Sequence, residues 1–188
     1  MKWKQRRTSM EKSKCYRYTI GVDPSGAFKE GKGTTGWCVL DNKTNAVLQV
    51  GTISAKQYST YHEYWDAHIQ LLRSLTKQYG LNIVLSMEDY ILYKNHAMAQ
   101  VNSQMETVQL IGIIKQYCFN NAMDYFIRPA VAVKTRWADN ILVHKGIITK
   151  LNKHYIVPNN PTKVLCVHER DAIRHAVHFN TFENKGEK

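Results

Sequence analysis

Three acidic residues stand where this chain could do chemistry. Asp23 closes the alternating run "YRYTIGVD" and is followed by "PSG" and the Lys/Gly-rich "AFKEGKG". Glu88 closes the apolar run "LNIVLSME". Asp171 lies in "HERDAIRHAVHF", which reads as the first turn of a final helix. Taken singly, a strand-end acid is commonly a turn residue, and an acid early in a helix complements the helix dipole. Glu88 is the least ordinary, because it directly follows a run that should be buried. Brought together, three carboxylates repel one another unless one takes a proton or a cation compensates. All-oxygen donors select hard cations, so Mg²⁺, with Mn²⁺ as a substitute, is the natural guest. Two such ions, roughly 3.5–4 Å apart, activate water on one side of a phosphodiester and stabilise the leaving oxygen on the other.

The elements that must position these acids can be read from periodicity. Tyr16, Tyr18, Ile20 and Val22 alternate and predict a strand; "TTGWCVLD" and "AVLQVGTI" predict two more, making an antiparallel meander. Tyr61, Tyr64, Trp65, His68, Leu71, Leu72, Leu75 and Tyr79 recur at helical spacing, with Gly80 as the stop. "LNIVLSMED" predicts a central strand carrying Leu81, Ile83 and Leu85. A second amphipathic helix is expected over roughly 97–121, and "MDYFIRP" as a fifth strand closed by Pro129. "AVKTRWADNILVHKG" and "ITKLNKHYI" read as short, basic helical pieces, before the last helix. Crossover helices imply parallel pairing of the later strands. The expected fold is therefore α/β: a five-stranded mixed sheet, antiparallel meander plus parallel strands, flanked by helices. If the first and fourth strands are parallel neighbours, Asp23 and Glu88 share the C-terminal edge of the sheet, where open α/β sheets place their sites. A final helix packed across that edge adds Asp171.

Composition narrows the partner. Lys and Arg number 26 against 15 Asp and Glu, a formal net charge of +11. Such a balance favours a polyanion, most simply nucleic acid, whose counterions lysine and arginine displace. No cysteine pair has the CxxC spacing of a structural zinc site. No apolar run suits a signal segment or a bilayer span, so the expectation is reduced thiols, no membrane and a cytoplasmic location. Residues 1–15 read as a basic arm, 16–183 as one domain, and 184–188 as a tail.

These segments resemble a known family. "IGVDPSG…TTGWCVLD", "MEDYILYKN" and "HERDAIRHAVHF" are similar, in order and spacing, to the three active-site segments of RuvC-like Holliday junction resolvases, bacteriophage-type members included. The resemblance runs from about Tyr18 to Phe179 and implies the ribonuclease H-like fold. It implies that Asp23, Glu88 and Asp171 hold one or two Mg²⁺ ions. His168, three residues before Asp171, falls where the family has an aspartate or a histidine, and becomes a further ligand or proton-transfer group. The resemblance puts Lys94, Lys134 and Lys145 near DNA. It places an aromatic against the junction centre where this chain has Ile91, so that role passes to Tyr90 or Tyr93. The enlarged "AFKEGKG" departs from the family's tight turn. Lys29 and Lys32 in it either contact the scissile strand or only lengthen a loop.

The resemblance further implies a homodimer that makes two coordinated cuts in a four-way junction, in a bacterial or phage-infected cell. The second helix is the element expected near the dimer interface; its Val101, Met105, Val108, Ile111 and Ile114 could equally be core. The rivals are a ribonuclease H-type or less selective nuclease on the same fold, and a catalytically silent DNA-binding protein. An actin-like ATPase needs a second phosphate motif, which 188 residues do not supply.

Overall fold

The computed structural model describes residues 14–29, 31–90 and 105–185. The expected basic arm up to residue 13, the junction residues Ile91, Tyr93 and Lys94, and Val101 lie outside them.

A five-stranded sheet organises the chain. Its strands are β1 (Tyr18–Asp23), β2 (Thr34–Asp41), β3 (Ala46–Ser54), β4 (Ile83–Asp89) and β5 (Tyr125–Pro129). They lie in the order β3-β2-β1-β4-β5. The first three form the antiparallel meander, and β1 pairs with β4, and β4 with β5, in parallel. Helices α1 (Tyr61–Tyr79) and α2 (Glu106–Asn120) cover one face. Helices α3 (Ala130–Lys134), α4 (Asp139–His144) and α5 (Val167–Phe182) follow β5 and pack into a second cluster.

The alternation of strand side chains decides which residues meet α5. On β1, Ile20 and Val22 face α1 and α2, packed with Leu72, Leu75 and Ile114. Gly21 faces the other way. A Cβ there would stand 2.1 Å from the Ala172 carbonyl oxygen of α5. Asp23 shares that parity. On β4, Ile83, Leu85 and Met87 face α1 and α2, while Ser86 Oγ donates to the His175 carbonyl of α5 at 3.0 Å. Glu88 shares the parity of Ser86. On β2, a Cβ at Gly36 would stand 2.1 Å from the His168 carbonyl. Small residues at Gly21, Gly36 and Ser86 thus let the backbone of α5 lie directly on the sheet.

Several expectations need correction. Leu81 is not central: it precedes β4 and is 84% exposed. Tyr16 does not continue the β1 pattern. The chain bends at Arg17, and Tyr16 packs edge-on against Phe179 with ring centroids 6.0 Å apart. The piece "ITKLNKHYI" is not helical. It belongs to a separate antiparallel sheet of β6 (Thr149–Leu151), β7 (His154–Val157) and β8 (Asn160–Val164). Leu151 pairs with His154 across a two-residue turn in which Asn152 has φ +55°, a conformation asparagine tolerates in hairpins. Ile147, Ile148 and Val157 then bury into the cluster beneath α5. Asp171 lies beyond the first turn of α5, where Glu169 stands instead. Glu169 accepts from the Cys166 amide at 2.8 Å and caps the helix.

Candidate active site

Asp23, Glu88, Asp171 and His168 converge at the C-terminal ends of β1 and β4. The β1–β4 register pairs Val22 with Met87, so the next step along both strands sets Asp23 beside Glu88. His168 Nδ1 lies 2.8 Å from Asp23 Oδ2. Lys134 closes the cluster from α3. Its Nζ stands 3.1 Å from Glu88 Oε2 and 2.9 Å from Asp171 Oδ2. The sequence reading sets Lys134 on a DNA-facing surface; here it ion-pairs between two of the acids. Arg174 holds the other oxygen of Asp171, bonds the Trp137 carbonyl through Nε at 2.9 Å, and reaches Asp139 at 2.5 Å. Asp171 is therefore fixed in orientation.

The electrostatics split the two sheet-edge acids. Burial raises the pKa of Asp23, and the neighbouring Glu88 adds to that, against the hydrogen bond from His168. Burial would raise Glu88 as well. His175, Lys134 and the hydrogen bond with Asp23 outweigh it and bring Glu88 down to about 2. The two carboxylates are thus pushed in opposite directions, Asp23 upward and Glu88 downward. His168 is raised, chiefly by its hydrogen bond to Asp23. Burial opposes the charge on Lys134, but Asp171 and Glu88 more than offset it, to about 12.

The donors suit a hard cation in kind: three carboxylates and one imidazole. Glu88 Oε2 is buried without a well-aligned hydrogen bond, and the Lys134 ammonium sits among the acids as a cation would. Among the described residues, no three His, Cys, Asp or Glu side chains are arranged to hold an ion as they stand. Glu88 and Asp171 are gathered on Lys134 instead.

Two features escaped the sequence reading. His175 is fully buried, and its Nε2 lies 3.5 Å from Glu88 Oε2. The signal was present: His168, Asp171 and His175 are spaced i, i+3, i+7, one face of a helix. The second is a buried network under the loop after Asp23. His68 Nδ1 bonds the Tyr64 carbonyl at 2.7 Å and Nε2 bonds Thr35 Oγ1 at 2.9 Å. Thr35 Oγ1 accepts from the Ser25 amide at 3.1 Å, and Tyr64 OH donates to the Ser25 carbonyl at 2.5 Å. Burial lowers His68 to about 4, so it stays neutral and pins Ser25 through Thr35 and Tyr64. In the sequence His68 shows only as one apolar-face position of a helix.

Among the described residues, the other expected DNA contacts fall on separate elements. Tyr90 is half-buried against the core beneath α1 and α2. Lys145 caps α4, with Nζ 5.8 Å from the centre of the Trp137 ring. Lys29 and Lys32 are exposed in the enlarged loop, which Phe28 anchors to α1 through the rings of Tyr61 and Tyr64. On α2, Ile111 and Ile114 are core, whereas Val108 is exposed.

No protein-family model and no curated protein matches the sequence. Solved structures do. T. thermophilus RuvC, in complex with a Holliday junction substrate, matches with TM-score 0.58 and 15% identity, over 91% of this chain and 99% of that one. The large terminase nuclease of the thermophilic phage G20c, with bound cobalt, matches with TM-score 0.45 and 14% identity, over 87% and 81%. At such identities the likeness to RuvC is one of fold, and it agrees with the strand order: this chain has the mixed-sheet, ribonuclease H-like fold.

Proposed function

We propose that this chain is a metal-assisted DNA endonuclease that cuts branched DNA, four-way junctions first among them. One observation carries the reading: Asp23, Glu88 and Asp171 converge at one sheet edge, with His168 on Asp23, in a chain of net charge +11. RuvC, the neighbour that shares the fold, is itself seen on a Holliday junction.

Asp23, Glu88, Asp171 and His168 would hold one or two Mg²⁺ ions. Such ions, when bound, supply the deprotonated water and the neutralised leaving oxygen that phosphodiester hydrolysis needs. The chain's own residues do the rest. Lys134 offsets the repulsion between Glu88 and Asp171, so the acids stay close. Arg174 fixes Asp171. His168 is part-exposed and bonded to Asp23, which suits it to take up or release a proton at the solvent edge of the cluster. Two copies acting together would make the paired cuts, with α2 near their interface.

The test is a cleavage assay with Mg²⁺ or Mn²⁺ on a synthetic four-way junction, a linear duplex and an RNA–DNA hybrid. The junction should be cut, and Asp23→Asn should lose cutting while keeping junction affinity, because binding rests on phosphate contacts. Cleavage of hybrid alone would replace this reading with a ribonuclease H; no cleavage of any substrate would remove the enzyme.

A further inference from the structure

The loop after Asp23 borders a pocket that the proposed chemistry does not use. It has a volume of about 300 Å³ and is lined by Gly26, Lys29, Tyr61, His62, Trp65, Glu106 and Gln109. That volume is at the small end of ligand sites. Its wall is aromatic: the Tyr61 ring lies 4.1 Å from His62 and 4.8 Å from Trp65, centre to centre. Tyr61 is 42% exposed although it opens α1. Its floor is rigid. The Gly26 amide donates to Thr107 Oγ1 at 3.0 Å, and a Cβ at Gly26 would stand 2.2 Å from the Glu106 backbone. Gly26 follows β1, so the pocket lies toward the sheet edge that carries the cluster, but its walls come from α1 and α2, on the face of the sheet opposite α5.

We propose that this pocket receives one unpaired nucleobase of the DNA strand that passes the cluster, stacked on Tyr61 and its aromatic neighbours. An aromatic wall offers a face to any base without sequence preference. Lys29 at the rim adds positive charge for the adjoining phosphate, and the Glu106 carboxylate is an acceptor for an exocyclic amine. A fully paired base cannot reach such a pocket without leaving its stack. The site therefore favours DNA with unpaired or easily opened bases at a branch. The inference rests on the reading of the chain as a branched-DNA nuclease.

Affinity for a four-way junction, measured by fluorescence anisotropy in EDTA, tests it without cleavage. A single abasic residue is placed in turn at each nucleotide within three of the branch point. In the wild type one position should lose roughly 5- to 100-fold in affinity, the worth of one stacked base. Tyr61→Ala should bind intact and abasic junctions alike, and Tyr61→Phe should restore the difference. A wild type that binds every abasic junction as tightly as the intact one overturns the pocket; so does a Tyr61→Ala variant that still discriminates. If junctions are bound and cut while no abasic position matters, the pocket fails and the nuclease reading stands. If junctions are not bound at all, both fail.

Discussion

Asp23 and Glu88 are like side chains at neighbouring positions, yet their surroundings drive them apart. Glu88 faces Lys134 and His175 and is held ionised, with its pKa brought from 4.5 to about 2. The stability this gives is present above the unfolded value of 4.5 and is lost as pH falls from there toward 2. A displacement of that size is worth up to about 3 kcal/mol. Asp23 is shifted upward, so its protonation favours the folded state as pH falls and returns part of the loss. In EDTA, the urea midpoint of the wild type should therefore decline between pH 4.5 and 2, and that of Glu88→Gln should decline less steeply. Parallel declines would mean that Lys134 and His175 do not hold Glu88 ionised.

At the level of elements, the site depends on how closely α5 lies on the sheet. Gly36 is the tightest point beside the cluster, since a Cβ would meet the His168 carbonyl at 2.1 Å. Backbone cannot turn aside as a flexible side chain can. Gly36→Ala should cost at least the ~1–3 kcal/mol typical of overpacking. At temperatures where the variant is still folded, it should lose cutting more than junction affinity, because His168 and Asp171 move away from Asp23 together. Retention of wild-type cutting would show that α5 need not sit this close. This packing also explains what the sequence made legible. Strand-length runs bounded by turn residues reveal β1 to β5; β4 shows as a continuous apolar run because both of its faces are buried. The acids stood out because each ends a patterned segment. The contacts of Lys134 did not, because a residue closing a five-residue helix has no period to read. The β6–β8 sheet was hidden for a related reason: its strands are three to five residues long, and their lysines and histidine fit an exposed helical face equally well. Only the positive φ of Asn152 distinguishes the hairpin, and asparagine alone does not announce it.

For the molecule as a whole, the +11 charge should appear as a steep salt dependence of DNA binding, but its lysines do not contribute alike. Lys134 lies between Glu88 and Asp171, so its charge is balanced locally and adds little to the field that phosphates meet. Lys150 and Lys153 are exposed on the β6–β7 hairpin. Lys145 is exposed at the end of α4. Each lysine that touches a phosphate contributes about one unit to the slope of log affinity against log salt. Junction binding in EDTA, titrated from low to physiological salt, separates the two kinds. The paired change Lys150→Ala and Lys153→Ala should flatten the slope by about two units, and Lys145→Ala by about one. Lys134→Met should leave the slope within about half a unit of the wild type while reducing cutting, because the two acids it joins then repel each other. A Lys134→Met variant whose slope falls by a full unit would place that lysine on the DNA, and the carboxylates would have to be held together by something else.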